Sequence, residues 1–460
     1  MVTLKMYRVI QKHQESPPMR DVNLQIISKL KEFLILAIQE KEEYCQKPTD
    51  FTRTRKLPFI RVVLLILNLL KRSLSVELVN FFEQIGKEED LASKSAFSMA
   101  RKKLKALFFK DWNKVLLKTY YQQARDYLQT WKGFILLGVD GSTAYLFNDA
   151  GGEMKKHFGL HLGKVMGRLM TCYDVLNEMI VLGNLNPIGD SENKIAYEWL
   201  NELKQKMCYI LRPLMLYDAK FPGFRMIYEH LQREIDFVVR CSPEFNIQIK
   251  RFVASGKKQQ IIDLFPTTQV IKELRELGYE VNIDTHLKVR LVRIELSNGE
   301  IEILITSLLD KKKYPHADFQ PLYERRWGSE TAYDTLKNKL QIEVLSGHCS
   351  QAVLQDFYAA LMIANLQSLV EQECKPEIEE INQRRKDEYA VNQNVAIGCL
   401  KNRVIKLFLS EQPEEILDKL KFLFIKHLEP VRPNRSFPRT KKIKHLNGKY
   451  KTQKNYRRAI

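Results

Sequence analysis

Two aspartates and one glutamate are notable because of their positions in the sequence. Asp140 follows an apolar run at residues 134–139, and Asp218 follows another at residues 214–217. Both should lie at the margin of a buried sheet, where an unpartnered charge is costly. Carboxylate oxygens at such a margin can bind hard divalent cations. A lone aspartate there is more commonly a turn or helix cap, so the pattern alone leaves both roles open.

The third carboxylate, Glu330, belongs to a regularly spaced set of polar residues. Tyr323, Arg326, Glu330 and Lys337 follow one another at intervals of three, four and seven residues. On an α-helix at about 100° per residue they would share one stripe roughly 60° wide. Glu330 would then be flanked by two cations and a phenol. An ordinary surface helix with an Arg326–Glu330 ion pair, worth about 0.2–0.5 kcal/mol, would show the same spacing.

The elements that must position Asp140 and Asp218 follow a β-β-β-α-β-α-β order, which predicts a mixed sheet with helices on its faces. The predicted strands are 134–139 (with a hairpin continuation at 144–147), 168–175, 178–182, 214–217 and 237–240, and the helices are 192–207 and 224–232. Residues 241–299 should be a β-rich insertion, with strands at 245–250 and 288–295. Asn298-Gly299 predicts a hairpin turn into a strand at 300–306.

The helix carrying Glu330 should belong to a helical region at 319–371, docked on the sheet by Tyr333, Leu336 and Leu340. The N-terminal part is predicted to be all helical, with helices at 59–71, 75–84, 95–108 and 112–128. The helix at 95–108 suits the recognition helix of a helix-turn-helix within about 55–110, and a solvated basic helix on a bundle fits equally well. Its predicted DNA contacts are Ser98, Arg101, Lys102 and Lys105.

Composition narrows the function classes. The 460 residues have 45% hydrophobic and 28% charged content, which excludes a disordered or fibrous chain. Lysine and arginine exceed aspartate and glutamate by 74 to 55, giving a net charge of +19, and the tail at 430–460 contains many cations and no acid. This balance favours a nucleic-acid partner, although a ribosome or membrane surface would also fit.

Seven cysteines without a CxxC pair indicate neither a zinc site nor disulfides, so we expect a cytoplasmic protein. The apolar run at 59–70 is too short to span a membrane, and no membrane partner is expected.

The set Tyr323, Arg326, Glu330 and Lys337 resembles the Y-(2)-R-(3)-E-(6)-K signature of the group-four insertion-sequence transposases of the DDE type. Similarity extends to the Asp140-Gly-Ser segment, the Tyr173–Asn177 turn, Leu304–Thr306 and the basic tail containing Arg432 and Arg435, and so covers most of residues 50–445. One departure concerns the second acid. The family usually has Asp-Arg-Gly followed by an aromatic residue, whereas this chain has Asp218-Ala-Lys-Phe.

The resemblance implies a mixed α/β fold: a ribonuclease-H-like catalytic domain (132–240 plus 300–375) interrupted by the β-rich insertion (241–299). It also implies a helical N-terminal DNA-binding domain (1–131), and a helical region with a basic tail (376–460) would end the chain. Asp140, Asp218 and Glu330 would be the catalytic residues and would hold two Mg²⁺ ions, for which Mn²⁺ could substitute.

The implied function is cut-and-paste transposition by DNA strand cleavage and 3′-OH strand transfer. Tyr323, Arg326 and Lys337 would bind phosphates, and Trp327 would either stack on an unpaired base or pack on the core. The expected partners are double-stranded DNA, as terminal inverted repeats and target DNA, and a second copy of the chain in a synaptic homodimer. A catalytically silent DNA-binding relative or another ribonuclease-H-like nuclease are the alternatives.

Overall fold

The computed structural model describes residues 18–53, 55–148, 152–296 and 299–431. Helices make up its N-terminal part, as predicted: α1 (Met19–Gln39), α2 (Phe59–Leu67), α3 (Leu74–Gln84), α4 (Lys94–Arg101) and α5 (Leu107–Gln123). The predicted single helix at 95–108 is wrong. The side chain of Ser93 caps α4 by accepting from the Ala96 N–H at 3.2 Å, and α4 ends at Arg101. The chain then turns, and Leu104 pairs with Cys45 before α5 begins.

A central sheet follows, with the strands β1 (Ile135–Tyr145), β2 (Leu160–His161), β3 (Lys164–Asp174), β4 (Met179–Pro187), β5 (Pro213–Tyr217), β6 (Asp236–Cys241), β7 (Gln259–Leu264), β8 (Leu287–Glu295) and β9 (Ile301–Thr306). The order is β2-β3-β1-β5-β6-β9-β8-β7, and β4 pairs with β3. β1 runs antiparallel to β3 and parallel to β5, which is parallel to β6. The predicted mixed sheet is confirmed, except that residues 144–147 do not form a separate hairpin strand, because β1 runs unbroken through Tyr145.

The remaining helices are α6 (Glu153–Phe158), α7 (Glu192–Lys206), α8 (Phe224–Arg233), α9 (Ile247–Ala254), α10 (Thr268–Glu276), α11 (Phe319–Glu324), α12 (Gly328–Asp334), α13 (Ser350–Gln383), α14 (Gln393–Lys401), α15 (Val404–Leu409) and α16 (Pro413–Lys426). A short pair of strands, β10 (Tyr389–Val391) and β11 (Leu428–Pro430), lies among them. α13 is long and apolar enough to cross a membrane, but 83% of its apolar window is buried inside the protein. It packs against α5, α16 and β4 as a core helix.

The segment predicted as a β-rich insertion is mixed instead. Its predicted strand at 245–250 is wrong, because Asn246 caps a helix there by accepting from the Ile249 N–H at 2.8 Å. β7 and β8 are strands, and β8 pairs with β9. The segment therefore extends the central sheet. Asn298 of the predicted hairpin turn lies outside the described residues, as does the basic tail from Arg432 onward, including Arg435.

Candidate active site

Asp140 and Asp218 lie side by side because their strands are parallel neighbours. The register of β1 and β5 pairs Gly138 with Leu216, and each aspartate lies two residues farther along the chain, Asp140 within β1 and Asp218 directly after β5. A backbone N–H is donated to each carboxylate: Gly141 N to Asp140 Oδ1 at 2.8 Å, and Lys220 N to Asp218 Oδ1 at 2.9 Å. The strand register thus places two predicted catalytic residues side by side near the C-terminal end of β5.

The surroundings of Asp140 disfavour its negative charge. Burial raises the pKa of Asp140, and the charge of Asp218 raises it further. The Gly141 N–H, Arg326 and Lys220 act in the opposite direction and lower this pKa. Two neighbouring carboxylates, one of them largely buried, form a place where a cation would be stabilised.

The segment carrying the signature is not one regular α-helix. α11 continues into a 3₁₀ turn (Arg325–Trp327), α12 follows, and a π-helical turn (Thr335–Lys339) ends the segment. The phenol of Tyr323 donates to the backbone oxygen of Tyr217 at 3.1 Å, and the phenol of Tyr333 donates to that of Asp140 at 2.7 Å. Two tyrosines thus tie the segment to the strand positions that carry the acids. The predicted docking residues Tyr333, Leu336 and Leu340 are buried.

A turn on the other side of β1 supports the same segment. The side chain of Val175 packs where Gly138 and Gly328 lack a Cβ, which lets the helix approach the strand closely. The neighbouring Asp174 is fully buried and accepts from the phenol of Tyr121 at 2.7 Å. Burial raises the pKa of Asp174 to about 6, while the hydrogen bond from Tyr121 opposes that rise. Helix α5 is thereby joined to the catalytic sheet.

Glu330 lies on the flank of α12. Ser329 is fully buried beside Gly138, and Glu330 is about 100° further round the helix and half-buried. Among the described residues, no group of three or more histidine, cysteine or acidic side chains is arranged so that it could hold a metal ion. The structure therefore brings Asp140 and Asp218 together but does not gather Glu330 with them into one cluster.

Arg326 is the unusual cation of the site. Only 5% of its surface is exposed, and its Nε is buried with no hydrogen-bond partner in the described part of the chain. Its guanidinium carbon lies 5.8 Å from the ring centre of Tyr323 and 5.3 Å from that of Trp327. Trp327 itself is 49% exposed, so its ring is not packed within the core. A buried guanidinium with an unused donor beside a carboxylate pair is suited to an anionic ligand.

The other two signature residues contact the protein itself. Lys337 lies in the π turn, and its ammonium donates to Ser142 Oγ at 2.6 Å and to the Thr143 backbone oxygen at 2.8 Å. It therefore lies along β1, close to Asp140. The predicted phosphate contact of Tyr323 is not supported, because its hydroxyl is buried and already donates to a backbone carbonyl.

The predicted DNA contacts on α4 separate into two groups. Arg101 is only 3% exposed and is held by Gln355, Ser346, Ala352 and Asp356. Its prediction as a DNA contact is wrong, because its guanidinium is buried and donates hydrogen bonds that join α4 to α13. Ser98 and Lys102 are exposed and line a groove of about 620 Å³ between α4 and residues 346–349. Lys105 is half-buried, and its ammonium donates to the Glu43 backbone oxygen at 2.9 Å.

Three charged residues near Asp140 were missed from the sequence. Glu192 begins α7 and lies against Gly141, where a Cβ would be 2.5 Å from its carboxyl carbon. Arg168 pairs with Glu192 at 3.0 Å, and Lys220 lies 4.0 Å from it. In the sequence Glu192 has only the features of an ordinary helix start after Ser191. The only available signal was Lys220, which stands in the altered segment after the second acid.

Comparison with known proteins gives a consistent picture. Residues 147–366 match the family described as the transposase DDE domain, a range that includes Asp218 and Glu330 and begins after Asp140. The transposase InsG for insertion sequence element IS4 of Escherichia coli (strain K12) is 21% identical over 242 residues, covering 51% of this chain and 52% of that protein. The chain thus spans about half the length of the curated relative that it matches.

Among solved structures, a cryo-EM structure of the piggyBac transposase synaptic complex with hairpin DNA is similar over 91% of this chain and 86% of that chain, with 10% identity and a TM-score of 0.38. Residues 147–366 are thus similar to a transposase DDE domain, and the two sequence matches together support a DDE transposase of the IS4 type.

Proposed function

We propose that this protein is a DNA transposase that cleaves DNA at the ends of an insertion sequence and joins the freed 3′-OH ends to target DNA. The observation that carries the proposal is the placement of Asp140 and Asp218 side by side on neighbouring parallel strands, next to a segment in which the buried Nε of Arg326 has no hydrogen-bond partner among the described residues. The matched DDE domain supports the same reaction class. DNA phosphates are the anions for which such a site would be built.

The side chains of Asp140 and Asp218 are chemically suited to bind divalent metal ions. Asp140 and Asp218 offer hard oxygen ligands, and the raised pKa of Asp140, caused first by burial, indicates a carboxylate that a cation would stabilise. When bound, two Mg²⁺ or Mn²⁺ ions in such a site supply an activated attacking oxygen and relieve charge on the leaving oxygen. Glu330 would complete the ligand set through a rearrangement of α12 when DNA binds.

The chain's own residues would orient the DNA next to Asp140 and Asp218. The guanidinium of Arg326 would hold a phosphate next to the scissile bond through charge-assisted hydrogen bonds. The half-exposed ring of Trp327 would stack on a base displaced from the duplex. Lys337 would hold the Ser142 region of β1 in place and add positive charge beside the phosphate.

Recognition of the element ends would involve the groove next to α4. Its lining combines Lys94, Ser98 and Lys102 with His348 of the catalytic domain. Because Arg101 fixes α4 to α13, the groove and the region around Asp140 and Asp218 would form one rigid surface for a terminal inverted repeat. Two ends must be brought together for transposition, so we expect a homodimer on DNA.

The decisive experiment begins with the DNA that flanks the coding sequence. Terminal inverted repeats should lie there, and the purified protein should cleave a duplex ending in such a repeat when Mg²⁺ or Mn²⁺ is present and not when EDTA is added. Glu330→Gln and Asp140→Asn should each reduce cleavage by at least about 100-fold. Glu324→Gln is the matched control, because Glu324 is an exposed glutamate on the adjacent α11.

The outcomes separate the alternatives. Binding of the repeats without cleavage under any metal condition would identify a catalytically silent relative. Equal cleavage of structured DNA or RNA that lacks the repeats would identify another ribonuclease-H-like nuclease. If Glu330→Gln cleaved as fast as the parent protein, Glu330 would have no part in the reaction.

A further inference from the structure

Lys220 lies in the short segment that follows the second candidate acid. Its backbone N–H is donated to Asp218 Oδ1, and the ring of Phe221 is fully buried with its centre 5.0 Å from that of Tyr217. The backbone on both sides of Lys220 is therefore held in place. Its side chain is 66% exposed, so a fixed backbone presents an accessible ammonium near Asp140 and Asp218.

The ammonium of Lys220 lies between two carboxylates. It acts on Asp140 by lowering the pKa of that carboxyl group, and its Nζ is 4.0 Å from Glu192 Oε2. A contact of this length between an exposed lysine and a carboxylate is weak and is further screened by salt. Lys220 is thus positioned near Asp140 without being tightly held by its protein partner.

Glu192, by contrast, is fixed. Arg168 donates to Glu192 Oε1 at 3.0 Å and to the Ile188 backbone oxygen at 3.4 Å, which anchors the start of α7 to β3. The carboxylate also lies directly on Gly141, where any side chain would collide with it. Only 14% of the Glu192 side chain is exposed. A firmly anchored carboxylate thus faces an exposed ammonium beside the first candidate acid.

We propose that Lys220 binds a DNA phosphate next to the cleaved bond, and that in the DNA-free protein the Glu192 carboxylate pairs with the Lys220 ammonium in place of that phosphate. The inference rests on the proposed function and deepens it, because it adds a second phosphate contact to the one expected at Arg326. Arg326 is buried within the signature segment, whereas Lys220 is exposed beyond the end of β5. Together they would hold the backbone on two sides of Asp140.

The first test measures the binding of a fluorescently labelled linear duplex that carries a flanking repeat, without metal, at several salt concentrations. Lys220→Ala should weaken binding roughly tenfold and reduce the slope of log K against log salt by about one. Lys220→Arg should retain most of the affinity and the slope. The matched control is Lys204→Ala, which changes a half-exposed lysine at the far end of α7, 2.9 Å from Glu234, and should change neither quantity.

The second test examines Glu192. Glu192→Gln should bind the duplex roughly two- to fivefold more tightly than the parent protein, because it removes the carboxylate that competes with the phosphate for Lys220. If Glu192 served only to hold α7 against β3, the same variant would bind equally well or more weakly. Thermal unfolding of each variant shows whether a change in binding reflects loss of the fold, and the exposed Lys220 variants remain informative if Glu192→Gln is unstable.

The results distinguish this inference from the proposed function. If the parent protein neither binds nor cleaves the repeat duplex, the transposase proposal itself fails. If the parent protein does both while Lys220→Ala matches it in affinity and salt slope, Lys220 is not a phosphate contact and only the inference about Lys220 is overturned. An equal loss of affinity in Lys204→Ala would likewise overturn it, because the effect would then follow from net charge.

Discussion

Arg101 and Arg326 are both buried arginines, yet their environments differ in kind. Arg101 is 3% exposed, and its guanidinium donates to two carbonyl-type oxygens, a hydroxyl and the carboxylate of Asp356. Arg326 is 5% exposed, and within the described residues its Nε has no hydrogen-bond partner. The guanidinium carbon of Arg326 lies 5.8 Å from the ring centre of Tyr323 and 5.3 Å from that of Trp327.

This difference separates a structural cation from a ligand-binding one. Burying a charge costs free energy unless hydrogen bonds and an opposite charge compensate for it. The protein compensates Arg101 fully, so that residue stabilises the junction of α4 and α13. It leaves the buried Nε of Arg326 without a hydrogen bond among the described residues, and a DNA phosphate would supply that acceptor. The predictions below test whether the two arginines differ in this way.

The largest effect on folding is expected at Arg101. Arg101→Met would leave the carboxylate of Asp356 buried without its cation, which should lower the free energy of unfolding by about 3–5 kcal/mol. Chemical denaturation monitored by circular dichroism would measure this change. Replacing both partners, by Arg101→Met with Asp356→Leu, should cost clearly less than Arg101→Met alone.

Arg61→Ala provides the control for Arg101. Arg61 also pairs with an aspartate, Asp90, at 2.8 Å, but both side chains are partly exposed. Its loss should cost at most about 1 kcal/mol. If Arg101→Met were as mild as Arg61→Ala, the structural role given to Arg101 would be wrong.

Arg326 should behave in the opposite way. Arg326→Gln should slow cleavage of repeat-ended DNA by roughly 10- to 100-fold, equivalent to about 1.5–3 kcal/mol for a hydrogen bond to a charged group. Its free energy of unfolding should change by less than about 1 kcal/mol or rise, since an incompletely compensated buried charge is removed. A variant that cleaved normally but unfolded easily would place Arg326 with Arg101.

A smaller effect is expected at Gly138, which lets the signature segment approach β1. A Cβ there would lie 3.1 Å from Val175 Cγ1 and 3.4 Å from the Ser329 Cβ, so Gly138→Ala should push the segment outward. We expect a loss of about 1–2 kcal/mol in unfolding free energy and several-fold slower cleavage. Gly223→Ala is the control, because nothing lies within 4 Å of a Cβ at that position.

The smallest effect concerns a buried anion that has neutral partners. Burial raises the pKa of Glu371 from 4.5 to about 7, while hydrogen bonds from the amides of Gln367 and Gln393 oppose the rise. The folded protein thus binds this proton more tightly than the unfolded chain. The contribution of Glu371 to stability is complete below pH 4.5 and is lost as the pH rises through about 7.

Glu371→Gln should therefore gain stability relative to the parent protein between pH 5 and pH 8. A gain of about 1 kcal/mol is expected, because the hydrogen bonds from Gln367 and Gln393 offset part of the cost of burying the ionised carboxylate. Denaturation curves at several pH values would measure it, with the exposed Glu415→Gln as control. A stability difference that did not change with pH would show that Glu371 ionises normally in the folded protein.

The sequence was sufficient to predict most of the sheet and its two aspartates. The strands around Asp140 and Asp218 and the meander of β3 and β4 follow from runs of apolar residues, which reflect burial of each strand. It failed at residues 245–250, where alternating apolar residues predicted a strand and α9 forms instead. The side chain of Asn246 caps that helix, and such a local hydrogen bond outweighs a short periodic pattern.

The candidate site was predictable in part. The periodic apolar residues Tyr333, Leu336 and Leu340 correctly predicted that one segment docks on the sheet, because helical periodicity places such residues on one face. It could not show that 3₁₀ and π turns interrupt the segment or that the hydroxyl of Tyr323 is used internally. Both features depend on contact with β1 and β5.

The sequence by itself determined the mixed α/β pattern, the position of each aspartate directly after an apolar run and the excess of positive charge, because each of these follows from residue type and local periodicity. Only the tertiary structure decided which cations have partners. Arg101 and Asp356 are separated by 255 residues, and Lys220 meets Glu192 only because α7 returns to the edge of β1. Whether a buried charge is compensated depends on groups that the fold brings together from distant parts of the chain, and local sequence patterns do not predict such contacts.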